Sequence, residues 1–153
     1  MRRIILIALG GGLGSMARFS IVLWLKPFHF WEPSSILLIN FSGSFLIAIV
    51  NFLSEPIGPI ARLRLSVRSR EFLMVGICGG FTTFSTFCYL VYMAAAHWNW
   101  ADALLNIFVS HALCITAVGL GLLFCRAIEQ RFQPAVPSEE TEGEQILSEE
   151  ESA

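Results

Sequence analysis

The chain has 153 residues, 55% of them hydrophobic and 14% charged, where a soluble domain carries about 25% charged residues. Its net charge of −2 divides into a basic body, residues 1–133 with ten Lys and Arg against five acids, and an acidic stretch, 134–153, with seven Glu and no base. Four runs of 19–25 residues, in which Arg18 is the one Asp, Glu, Lys or Arg, exclude a water-soluble globular body and leave no length for a separate soluble domain.

About 20 apolar residues cross the hydrocarbon core as a helix, so four membrane helices are expected at about 4–25, 35–53, 72–96 and 103–125. In the first, Arg2 and Arg3 followed by Ser15-Met16-Ala17 have the outline of a secretory signal. The apolar stretch before Gly10 is only six residues, and hydrophobicity continues past Arg18, so the segment is expected to stay as a helix. Gly10 and Gly14 form a small-xxx-small pair suited to close helix packing. The connection from Lys26 to Pro33 holds two prolines together with Phe28, Phe30 and Trp31, residues of an interfacial loop. On the second helix Asn40, Ser44, Ile47 and Asn51 share a face with Gly43 beside it. A longer connection, Ser54–Glu71, carries Arg62, Arg64, Arg68 and Arg70.

The third run places Gly79-Gly80-Phe81-Thr82-Thr83-Phe84-Ser85-Thr86-Phe87 in mid-membrane. Adjacent glycines followed by adjacent threonines invite a break in the helix. Non-helical backbone at that depth persists only inside protein or along a polar cavity, and freed carbonyls there can ligate a cation. Phe81, Phe84 and Phe87 recur every three residues among the hydroxyls, in the manner of a lining. His97-Trp98-Asn99-Trp100 then makes a short interfacial turn. On the fourth helix Asn106, Ser110 and Cys114 follow one face and His111 lies to one side, as a pore neighbour or, the plainer reading, a packing residue. Cys78, Cys88, Cys114 and Cys125 all fall in apolar runs without metal spacing, which fits packing. Residues 1–131 are thus expected as a transmembrane domain and 132–153 as an acidic, disordered cytoplasmic tail.

Amides and hydroxyls donate hydrogen bonds, and a phenyl edge is electropositive. Together they suit a small desolvated anion, whereas a cation or proton carrier needs an intramembrane carboxylate, which these runs lack. A multidrug or cation exporter of similar size is the alternative this argues against. A non-transporting scaffold, with glycines and serines used for packing alone, is another. No enzymatic step is indicated.

Gly79-Gly80-Phe81-Thr82-Thr83-Phe84-Ser85-Thr86-Phe87, with Gly11-Gly12-x-Gly14-x-x-x-Arg18 and Asn40-x-x-Gly43-Ser44-Phe45, strongly resembles the Fluc (CrcB) fluoride channel family over about residues 4–125. The resemblance implies an all-α membrane protein of four transmembrane helices, the third broken, in an antiparallel dimer with two pores. It implies passive, selective fluoride export that protects the cytoplasm. By motif match Phe84, Phe87, Asn40 and Ser110 would line the pore with Thr83, and Arg18 would anchor its mouth. The carbonyls of Gly79 and Thr82 would ligate a structural sodium ion that is not transported. Asn106 stands where some members carry a tyrosine, and Phe81 where leucine is common.

Eight arginines outside the spans fall on the side of the termini and Lys26 on the other, joined by Arg18 if it snorkels that way. The positive-inside rule therefore puts both termini in the cytoplasm, with the chain multi-pass in the plasma (cell inner) membrane. An antiparallel homodimer needs weak asymmetry, so this bias raises a heterodimer with an oppositely oriented homologue beside the family's homodimer.

Overall fold

The computed structural model describes residues 1–26, 32–54, 65–97 and 99–132, and every regular element among them is helical. α1 spans Arg2–Leu25 and α2 spans Glu32–Ser54. The next run, α3, covers 67–81: an α turn at Val67–Arg70, a π-helical stretch at Glu71–Cys78 and an α turn at Gly79–Phe81. α4 spans Phe84–His97 and α5 spans Trp100–Phe132. The four runs α1, α2, α3–α4 and α5 are each long and apolar enough to cross a membrane. The expectations for Phe28, Phe30 and Trp31, for Arg62 and Arg64, for Trp98 and for the acidic tail lie outside the described residues.

Local chemistry sets several of the helix ends. Ser66 is extended and its hydroxyl accepts the Ser69 N–H at 3.2 Å, capping α3. The Asn99 side chain accepts the Ala101 N–H at 2.9 Å at the start of α5. With 33 residues α5 exceeds the span predicted for it, and at the helical rise it is roughly 50 Å long.

The third run is the most buried of the four spans. α1 packs chiefly on α3, while α2 packs chiefly on α5, and α4 also lies against α5. A core of Ile36, Ile39, Phe81, Phe87 and Leu90 joins α2, α3 and α4, with Ile39 fully buried. Many other large apolar side chains are exposed, Ile4, Phe19, Phe108 and Ile115 among them. That inverted distribution suits a hydrocarbon solvent or apposed helices, since lipid exerts no penalty on exposed apolar surface.

The closest α1–α3 approach is backbone against backbone. A Cβ added to Gly14 would meet the Ile77 carbonyl oxygen and lie 2.8 Å from the Phe81 nitrogen. One on Gly80 would meet the Gly11 carbonyl oxygen and lie 2.9 Å from Gly11 Cα. The small-xxx-small pair of α1 thus has a counterpart in α3. Gly79 and Gly80 are both helical and regular helix ends at Phe81, so the break invited by the adjacent glycines and threonines falls at the threonines. Thr82 turns extended at φ −75°, ψ 157°, and helix resumes at Phe84. Gly80 serves close approach to α1.

Candidate functional site: the Thr82–Thr83 interruption and its cleft

A single side chain on α2 satisfies the backbone at the interruption. The Asn40 amide oxygen accepts the Thr83 N–H at 2.9 Å, and its Nδ2 donates to the Thr83 carbonyl at 3.2 Å. Asn40 therefore pairs with Thr83 as a neighbouring strand would. This matters because an unpaired peptide group in an apolar medium costs several kcal/mol. Thr83 is buried, and its hydroxyl works on the following helix: Oγ1 accepts the Thr86 N–H at 3.3 Å and donates to Thr86 Oγ1 at 3.0 Å. It caps α4, directing that helix's N-terminus, with its partial positive charge, toward the interruption.

The carbonyls just before the interruption differ in their partners. Cys78 O accepts both the Thr82 N–H at 3.0 Å and the Thr82 hydroxyl at 2.9 Å. Gly80 O accepts the Ser15 hydroxyl at 3.3 Å. The Gly79 carbonyl would take the Thr83 N–H in a continuous helix, but Asn40 has claimed that donor. A neutral carbonyl relieved of its helical partner is the donor type a hard cation takes. Among the described residues, no cluster of three or more His, Cys, Asp or Glu could hold a metal.

Beside the interruption opens a cleft of about 340 Å³. Asn40, Thr83, Phe84, Phe87 and Ser110 line it, and Gly79 and Thr82 form its α3 wall. Of the residues expected to line a pore or ligate an ion, Arg18 alone is elsewhere, half-buried on α1 and outside the lining. Phe84 is 72% exposed, whereas Phe87 is 9% exposed in the core. Their ring centroids lie 5.9 Å apart at 35°. Across the cleft, Ser110 donates to Asn106 Oδ1 at 3.0 Å, so Asn106 holds the serine from one helical turn away.

The sequence placed His111 beside the polar stripe and left it between pore neighbour and packing residue, with packing favoured. In the structure it lines the cleft, with Nδ1 2.7 Å from the Ile107 carbonyl and its ring 5.6 Å from Phe87 at 71°. Only the rotation of α5 about its axis decides this placement, and an isolated sequence does not carry that angle. The lining holds no carboxylate, lysine or arginine. It consists of hydroxyls, amides, aromatic edges and apolar walls, and such a surface lowers the cost of desolvation for an ion that accepts hydrogen bonds.

Comparison with known proteins supplies the context for this geometry. The family described as "CrcB-like protein, Camphor Resistance (CrcB)" matches residues 5–122. A protein of Methylobacterium radiotolerans named fluoride-specific ion channel FluC is 36% identical over 117 residues, covering 76% of this chain and 80% of that protein. One of the same name from Opitutus terrae is 39% identical over 117 residues, covering 75% and 86%. A third, from Methanococcus maripaludis, is 37% identical over 123 residues, covering 80% and 95%.

Proposed function

The chain belongs to the CrcB-like family, and from that premise we propose that this multi-pass membrane protein is a fluoride channel. It would conduct fluoride passively and so lower cytoplasmic fluoride, without a chemical step. The observation that carries this reading is the Asn40–Thr83 pairing beside Phe84 and Phe87. It holds a gap in the third span open toward a cleft whose polar groups are uncharged donors.

Each residue then has a task. A fluoride ion leaving water needs replacement donors that do not bind it so tightly as to stop it. The second N–H of Asn40 is such a donor, the Ser110 and Thr83 hydroxyls would become donors on turning from Asn106 and Thr86, and the N-terminus of α4 adds its dipole. Phe84 and Phe87 would present electropositive ring edges while excluding bulk water. Arg18 would act near a pore mouth. The four apolar runs hold no carboxylate, which argues against a proton-coupled cation exporter, and the polar groups gathered at the cleft argue against a scaffold.

The same reading extends to assembly. The Gly79 and Thr82 carbonyls would hold a structural sodium ion at the centre of an antiparallel dimer, and that ion would supply fixed positive charge without being transported. The relief of the Gly79 carbonyl by Asn40 supports this ligand set. The outward apolar faces would meet lipid and the dimer partner. The charge asymmetry supports one orientation in the cell inner membrane with cytoplasmic termini. That orientation favours an oppositely inserted homologue as partner, and the homodimer is its competitor.

Reconstitution tests the proposal. Liposomes carrying the protein should release fluoride rapidly and chloride not at all, and Phe84→Ile should cut fluoride release at least tenfold. Absence of fluoride release from the homodimer and from every pairing with a homologue refutes the channel.

A further inference from the structure

His111 has a geometry that its packing alone does not require. Nδ1 lies 2.7 Å from the Ile107 carbonyl, and a carbonyl oxygen only accepts, so Nδ1 carries the hydrogen. In the neutral ring the remaining nitrogen, Nε2, is therefore a lone-pair acceptor. An acceptor repels an anion. Protonation adds a hydrogen at that one atom and converts it into a cationic donor, without disturbing the bond that fixes the ring. Because Nδ1 is already committed, Nε2 is the nitrogen left to change. His111 lines the cleft and touches Phe87, next in sequence to Ser110, whose hydroxyl is tied to Asn106.

We propose that Nε2 of His111 is an anion-binding group of the cleft that exists only in the protonated ring, giving the site a pH-dependent affinity for a small, hard, hydrogen-bond-accepting anion. The proposal rests on the channel reading for its anion and names a residue that reading does not use. Histidine is the side chain that ordinarily changes charge near neutrality. From α2 the cleft receives Asn40, Gly43, Ser44 and Ile47, none of which titrates. α4 contributes Thr83 just before it together with Phe84 and Phe87, α3 contributes the Cys78 thiol, and α5 contributes the Cys114 thiol. No carboxylate or permanent cation in the lining competes with the imidazolium or masks it.

A protonated ring that binds an anion and a neutral ring that repels it are linked by mass action. Anion binding must raise the pH at which His111 titrates, and protonation must raise anion occupancy. Two measurements on the full chain read these two sides. In liposomes, fluoride efflux should be about threefold or more faster near pH 6 than near pH 8, and His111→Gln should bring that ratio close to one. Glutamine keeps an N–H for the Ile107 carbonyl, so the fold of α5 is not at stake. In detergent, imidazole NMR with His29 and His97 as internal references should show fluoride moving the His111 midpoint upward while chloride does not.

The inference is overturned if His111→Gln keeps the wild-type pH ratio, or if fluoride leaves the His111 midpoint in place. A raised midpoint without efflux at any pH would preserve the binding group and remove the channel. Efflux that ignores His111, with an unmoved midpoint, would do the reverse.

Discussion

At the scale of single residues, Asn40 carries the most weight, because it is the partner of a peptide unit that helix geometry has abandoned. Asn40→Ala leaves the Thr83 N–H and carbonyl unpaired in an apolar interior, at a cost of about 1–3 kcal/mol for each. Thermal unfolding in detergent should fall by several degrees, and a midpoint equal to wild type would rule out the pairing. Asn40→Asp should separate the two duties. Its carboxylate still accepts the Thr83 N–H but opposes the Thr83 carbonyl and any passing anion, so efflux should fall further than stability does. The sequence placed Asn40 on the polar face of the second helix, yet did not show its partner. Nothing local connects residues 43 positions apart, and only the packing of α2 on the third run brings them together. His111 escaped for a related reason, since its side of α5 is set by the contact with Phe87.

At the scale of elements, the α1–α3 seam depends on the absence of side chains. Gly80→Ala would drive a methyl into the backbone of Gly11, and backbone has no rotamer with which to yield. The two helices must part, at an expected cost above about 1 kcal/mol. Gly12 offers the internal control. A Cβ there meets nothing within 4 Å, so Gly12→Ala should leave stability unchanged or raise it by up to about 1 kcal/mol through helix propensity. Equal effects of the two substitutions, measured by denaturant titration, would contradict the seam. The four spans were legible because hydrophobic length is written directly in the residues. The π-helical stretch at Glu71–Cys78 was not, because a shift from four to five residues per hydrogen bond leaves composition unchanged. Which of the two pairs ends the helix, glycine or threonine, was not legible, since glycine both weakens a helix and permits close approach. The interruption falls two residues later, where a threonine can cap the next helix.

At the scale of the whole molecule, the proposed four crossings would put eight of the ten basic residues on the side of the termini. A reporter fused to the C-terminus should therefore find it almost wholly cytoplasmic, and comparable populations on both sides would exclude the heterodimer as a requirement. The order of helix partnerships has a consequence of another kind. α1 leans chiefly on α3 and α2 chiefly on α5, so neither of the first two spans has its main neighbour beside it in the chain. During synthesis each leaves the ribosome with that neighbour still untranslated. The first two segments must wait in or beside the translocon, bound weakly to one another, until the third and fourth arrive to complete interleaved pairs. Biogenesis would then proceed late and together rather than hairpin by hairpin, and a nascent chain arrested after α2 would be a natural target for quality-control proteolysis.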